Sequence, residues 1–160
     1  MPAKPKPTKD TSEKAERKRL EKQLEKLSRE LVNWRDTRCV LFDTDGARCS
    51  SVLQWGHFIP QAQSYWMRYA VGNTFKQCSA HNTLHYRGDQ TFINWYVRTF
   101  GEAGHTAIVQ ETARHRGQRQ TVAELRELVS LYESLLDNRP SVYDLAEMIR
   151  RGFYGDFLTT

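Results

Sequence analysis

Cysteine is scarce in this chain and long apolar runs are missing, and each shortage narrows what the protein can be. Only three of the 160 residues are cysteine. That odd count does not build a disulfide framework and fits metal ligation in a reducing compartment. No apolar stretch approaches ~18 residues, so neither a membrane-spanning helix nor a signal-peptide core is expected. A cytoplasmic protein with no membrane partner is. Internal repeats and low-complexity tracts are also absent, and 160 residues allow one ordinary domain with appendages.

What is there is concentrated. Residues 1–30 hold 10 Lys or Arg against 6 Asp or Glu, whereas residues 31–160 hold 14 against 13, so +4 of the net +5 charge lies in the first thirty residues. All three cysteines fall between Cys39 and Cys78, and Cys78-Ser79-Ala80-His81 places a histidine where a Cys-x-x-Cys pair would put its second thiolate. Zinc takes four tetrahedral nitrogen or sulfur ligands, so Cys39, Cys49, Cys78 and His81 are read as a structural zinc site. Asp45-Gly46 is a tight-turn dipeptide, and a β-hairpin there would bring the first two sulfurs together. The gap between them is wider than a usual knuckle, which makes Cys49 the weakest of the four. The plain alternative is three buried thiols and an ordinary histidine.

Between the two zinc arms lie Gly56-His57-Phe58-Ile59-Pro60, Asn73 and Asn82. Their order and spacing resemble the HNH (ββα-metal) nuclease motif. The resemblance implies that His57 acts as general base on water, that Asn73 orients the loop of that histidine, and that Asn82 opens a helix and holds a catalytic divalent cation. Asn82 stands in place of the usual histidine, as in phage junction resolvases of the endonuclease VII type, and an amide oxygen suits a hard cation such as Mg²⁺ or Mn²⁺. Gly56 stands where an Asp or His normally gives the second metal ligand. Gln54 and His85 are the candidates to complete the set. Phosphodiester hydrolysis asks for these groups: a neutral histidine to deprotonate water and a cation to offset charge building on the phosphate. A structural imidazole is the bland reading of His57.

A closer likeness rests on Leu53-Gln54-Trp55-Gly56-His57-Phe58, Arg68-Tyr69, Asn73, Cys78, and then Gly88 to Gly101 with Phe92, Trp95, Tyr96 and Phe100. This pattern resembles the NinG/Rap family of lambdoid phage recombination endonucleases over about residues 35–101, and more loosely beyond. The likeness implies structure-specific cleavage of branched DNA such as Holliday junctions.

The expected fold class is α+β: a small zinc-stabilised ββα-metal core flanked by a long N-terminal helix and C-terminal helices. Residues 1–10 read as a disordered basic arm whose Lys4, Lys6 and Lys9 can reach phosphates. Residues 11–34 read as an amphipathic helix in which Leu20, Leu24, Leu27, Leu31 and Trp34 step by four and three, the seam of a coiled coil. At ~1.5 Å per residue it would be ~35 Å long, so it needs a partner, either a second subunit in a homodimer or the C-terminal helices.

Residues 35–101 form the nuclease-like core, with a hairpin over 35–60, a loop over 61–71, and Arg68 and Lys76 as further phosphate contacts. A helix over about 89–100 should end at Gly101. Residues 102–160 are helical: Thr121 and Glu124 make a capping box, an amphipathic helix runs to Asn138, and Ser141 with Asp144 caps another. Phe153, Tyr154, Phe157 and Leu158 are an unusually aromatic tail. Two other function classes stay open, a zinc-stabilised DNA-binding module without chemistry and a helical interaction scaffold.

Overall fold

Leucines spaced by four and three on a charged background form one long helix in the computed structural model, which describes residues 9–150. This helix, α1 (Lys9–Arg35), starts two residues before the expected Thr11, and residues 1–8, with most of the expected arm, lie outside the described residues. The aromatic tail from residue 151 onward lies outside them too. Leu20, Leu24 and Leu31 are at most 3% exposed. They pack on Leu125, Leu128, Val129 and Tyr132 of α5 (Val122–Asn138). Glu16 with Arg126 (2.7 Å) and Gln23 with Glu133 (3.0 Å) join the same two helices at the surface. The stripe that suggested a dimer seam is therefore covered within the chain, by the C-terminal helix.

The expected hairpin between Cys39 and Cys49 does not form. Asp45 N donates to Leu41 O at 2.8 Å and Cys49 N to Gly46 O at 3.0 Å, closing a short helix α2 (Phe42–Asp45) and a 3-10 turn (Gly46–Arg48) instead. Gly46 has helical φ/ψ of −57°, −28°, so Asp45-Gly46 makes no hairpin turn. The strands are β1 (Leu53–His57) and β2 (Thr74–Cys78), antiparallel, with Leu53 opposite Cys78 and His57 opposite Thr74. A connection over 58–73, with a 3-10 turn at Trp66–Tyr69, links them, and α3 (Ser79–Tyr86) follows β2 directly.

Side chains alternate across this sheet. Trp55, His57, Thr74 and Lys76 face α1: Ser28 Oγ lies 3.5 Å from Thr74 Oγ1, and the Arg29 guanidinium sits over the Trp55 ring at 4.8 Å. Gln54, Gly56, Phe75 and Gln77 face α3 and α4 (Thr91–Arg114), where Phe75 meets the edge of Trp95 at 5.2 Å. The outer edge of β2 is closed by the segment after α1. Arg35 donates to Thr74 O (2.5 Å), Lys76 N to Asp36 Oδ2 (2.9 Å) and Val40 N to Lys76 O (2.9 Å). The Arg35–Asp36 pair that does this is itself nearly buried.

As expected, the helical turns that begin at Thr91 stop at Gly101, whose φ of 78° and ψ of 169° are not helical. A second helical stretch follows across this kink and runs to Arg114, so α4 is two helical stretches joined at Gly101. The Thr121–Glu124 capping box is present, and Ser141 Oγ accepts from Asp144 N at 3.1 Å at the start of α6 (Val142–Arg150), which packs on α4. The class is α+β, with six α-helices and one two-stranded sheet among the described residues. No described helix is long and apolar enough to cross a membrane.

Leu24 is wholly buried between α1 and α5. Leu24→Ala should lower unfolding stability by about 2–5 kcal/mol in a denaturant titration. A loss under 1 kcal/mol would mean that α5 does not cover this stripe in solution.

Candidate metal centre

Three separate pieces of chain converge on one point. Cys39 comes from the segment after α1, Cys49 from the end of the 3-10 turn, and Cys78 and His81 from the β2–α3 junction. His81 Nδ1 lies 3.5, 3.5 and 3.2 Å from the sulfurs of Cys39, Cys49 and Cys78, and all four donor atoms lie within 4.8 Å of one another. A tetrahedral ion with Zn–S of ~2.3 Å and Zn–N of ~2.05 Å sets sulfur–nitrogen edges at ~3.5 Å. The four residues can hold a metal such as zinc, and Cys49, the weakest by spacing, belongs to the set.

The three thiols of the cluster differ in how readily they lose their protons. Burial pushes the Cys39 thiol up and the Cys49 thiol to about 12. Burial also acts on Cys78, but hydrogen bonds from the His81 and Ser50 backbone outweigh it and bring that thiol down to about 6. A metal taken up here must displace thiol protons, so uptake releases acid.

A fifth residue belongs to the centre. Asp45 Oδ2 lies 3.0 Å from His81 Nε2, the ring nitrogen turned away from the sulfurs. That contact keeps the proton on Nε2 and Nδ1 free for a metal. Asp45 is held in turn by Arg48, which reaches Asp89 at 3.1 Å and Thr91 Oγ1 at 2.9 Å. Sequence reasoning took Asp45 for a turn residue; a carboxylate inside the loop between two cysteine ligands was the available signal.

His57 ends β1 and is 2% exposed. Its Nε2 lies 3.0 Å from the carbonyl oxygen of Arg68 and 3.3 Å from the Gln61 side-chain amide. The nearer carbonyl can only accept, which puts the proton on Nε2, requires the Gln61 amide to turn its oxygen to the ring, and leaves Nδ1 its lone pair. Burial pushes its pKa down to about 4, and the ring is neutral at pH 7. Asn73, fully buried, brackets the loop that follows. Its Oδ1 accepts from Ile59 N at 2.6 Å, and its Nδ2 donates to Ile59 O at 3.1 Å and Met67 O at 2.9 Å. Met67 is next to Arg68, so Asn73 holds the segment whose carbonyl sets the tautomer of His57.

Asn82 and His85 lie on the other side of the sheet from His57. Asn82 Nδ2 donates to Gln54 Oε1 at 2.9 Å, while its Oδ1 is buried with no partner. His85 Nε2 donates to Phe58 O at 2.7 Å, leaving Nδ1 buried with no partner. Gln54, one candidate to complete a cation site, is thus engaged with Asn82. At Gly56 a Cβ would lie 2.1 Å from Gln77 Oε1, so the Gln77 amide fills the space of the missing side chain. Sequence reasoning missed Gln77, although it sits two residues from Phe75 on the inward face of β2.

The expected phosphate contacts are less free than their sequence positions implied. Arg68 reaches Glu25 at 3.4 Å, and Lys76 Nζ lies 3.4 Å from Asn33 O. Arg29, Asn33, Trp55 and Lys76 line a cleft of about 170 Å³ between α1 and the hairpin. Lys9 opens α1, and Lys4 and Lys6 lie outside the described residues. Comparison of the chain with protein-family models, curated proteins and solved structures finds no match.

Removing the Asp45 carboxylate should weaken metal binding without removing a ligand. Asp45→Asn is expected to lower zinc affinity about 10–100-fold in competition with a chromophoric chelator, and an unchanged affinity would mean that His81 needs no such support. His57 provides a second test by NMR. Because burial disfavours its charged form, its ring should stay neutral with the proton on Nε2 from pH 8 down to about 5, and a titration midpoint near 6.5 would contradict the burial.

Proposed function

We propose that this chain is a zinc-stabilised, divalent-metal-dependent endonuclease that hydrolyses phosphodiesters in branched DNA. The observation that carries the reading is His57. Its proton is committed to the Arg68 carbonyl through Nε2, its loop is clamped by Asn73, and Nδ1 holds the free lone pair. A histidine held in this way takes a proton from water at neutral pH, and the water oxygen then attacks phosphorus as the bond to the leaving oxygen breaks. The strand–strand–helix order of β1, β2 and α3 supports the likeness to HNH nucleases, and Asn82 Oδ1 and His85 Nδ1 are the donors that fit a cation. When bound, Mg²⁺ or Mn²⁺ supplies the positive charge that offsets the phosphate in the transition state. The zinc cluster ties β2 and α3 to the segments around Cys39 and Cys49, and its role is structural. Branched DNA as substrate rests on the resemblance to the NinG/Rap family, as does action in the cytoplasm of a host cell. Any dimer would have to form away from the α1 stripe that α5 covers, and that coverage also weakens the scaffold reading.

A second reading has its own observation. The carboxylate near His85, Asp89, is engaged by Arg48 and by the Thr91 backbone, and His57 is 2% exposed, which suits a zinc-stabilised module that binds DNA without cutting it.

The two separate in a cleavage assay on four-way junctions with zinc-loaded protein and Mg²⁺ or Mn²⁺. Wild-type protein should cut. His57→Ala should keep its zinc and its junction affinity while losing ~10²-fold or more in cleavage rate. Wild-type protein that binds junctions and cuts none would replace the nuclease with the binding module.

A further inference from the structure

A buried polar atom with no hydrogen-bond partner has given up water and received nothing, so such atoms are rare and their location is informative. Four of them belong to three residues on one side of the sheet: Oε1 and Nε2 of Gln77, Oδ1 of Asn82 and Nδ1 of His85. Three of these four atoms are lone-pair donors. Gln77 is 0% exposed, so its amide cannot turn to water instead. The fold also makes room for it. Gln77 stands opposite Gln54 in the register, yet its Oε1 lies over Gly56, 2.1 Å from where any Cβ would be. Asn82 reaches the sheet at Gln54 and His85 at Phe58, on either side of Gly56 along the chain. The second nitrogen of His85 and the second atom of the Asn82 amide are already engaged, which orients the remaining donor of each.

We infer that Gln77 is a ligand of the divalent cation together with Asn82 and His85, its amide oxygen supplying from β2 the donor that residue 56 lacks. The inference rests on the cation-dependent reading above. Two amide oxygens and one imidazole nitrogen suit Mn²⁺ better than Mg²⁺, because Mg²⁺ favours carboxylate and water oxygens. All three donors are neutral, so the ligand set itself cancels none of the charge on the cation. The anionic oxygens of a phosphodiester do that, and by linkage the cation and DNA strengthen each other's binding equally. His85 also lines a cavity of about 510 Å³ with Phe58, Pro60, Asp89 and His105.

The test reads metal binding and not cleavage. Mn²⁺ is titrated into zinc-loaded protein and followed by EPR, with zinc content as the check on folding. Wild-type protein should show one saturable Mn²⁺ site. Gln77→Leu should weaken it about 10-fold or more, and Gln77→Glu, which adds a charge to the ligand set, should tighten it by a similar factor. Gly56→Ala is the second route. Its Cβ displaces the Gln77 amide without substituting any of the three ligands and should also weaken Mn²⁺ about 10-fold. No saturable Mn²⁺ site in wild-type protein, or an affinity that none of these changes moves, overturns the inference. Mn²⁺ binding that depends on Gln77 in a protein that cuts no DNA keeps the inference and removes the nuclease. Cleavage with Mn²⁺ affinity indifferent to Gln77 does the reverse.

Discussion

A two-stranded sheet is not stable in water unless something covers it, and this one is covered on both faces. On one side α1 lies across Trp55, His57, Thr74 and Lys76, backed by α5. On the other, α3 and the first half of α4 cover Gly56, Phe75 and Gln77. The two apolar clusters that result are therefore separated by a single layer of backbone. Within the α1–α5 cluster the Tyr132 hydroxyl donates to the Tyr69 carbonyl, tying α5 to the connection between the strands.

Apolar packing alone does not secure the β2–α3 junction, because the hairpin is short and α3 has only 8 residues. The Cys39, Cys49, Cys78 and His81 cluster is placed at that junction. It joins the end of β2 and the first turn of α3 to two segments that have almost no regular structure of their own. Bound zinc would contribute on the order of 10 kcal/mol to folding in a site of this type. Asp45 and Arg48 extend the cluster to the start of α4 through Asp89 and Thr91. The centre is in this sense the joint at which the hairpin, α3 and α4 meet.

Strand alternation imposes a division of labour on the neighbouring residues Gly56 and His57. His57 faces the Arg68 carbonyl under α1, while position 56 faces α3, so the base and the cation ligands proposed above lie on opposite sides of one strand. Both can serve one phosphate only at the exposed edge of β1 or at its end, where the chain leaves the sheet. Asn73 holds the chain at that point.

Much of this was legible in the residues. The four candidate metal ligands were legible, Cys78 and His81 because Cys-x-x-His supplies two donors from one bend, and Cys39 and Cys49 as the two remaining cysteines of the chain. The capping box at Thr121 and Glu124 and the stripe on α1 are local patterns, and local patterns need no knowledge of the rest of the chain. What the sequence could not reveal is what each pattern would meet. Whether α5 or a second subunit covers the leucines of α1 depends on the path of a chain more than a hundred residues away. Asp45-Gly46 has the dipeptide of a tight turn, but backbone bonds from Asp45 N to Leu41 O and from Cys49 N to Gly46 O close helical turns there instead. Gly101 carries the φ of a helix terminus and does interrupt α4, but that a second helical stretch follows at once was not legible from the glycine. Asp45 and Gln77 matter only through what lies across from them, His81 in one case and the empty side of Gly56 in the other. Ligand identity and helix periodicity are properties of short segments, so the sequence by itself determined them. The partners of buried polar atoms are set by how distant segments close on one another, and only the tertiary structure decided those.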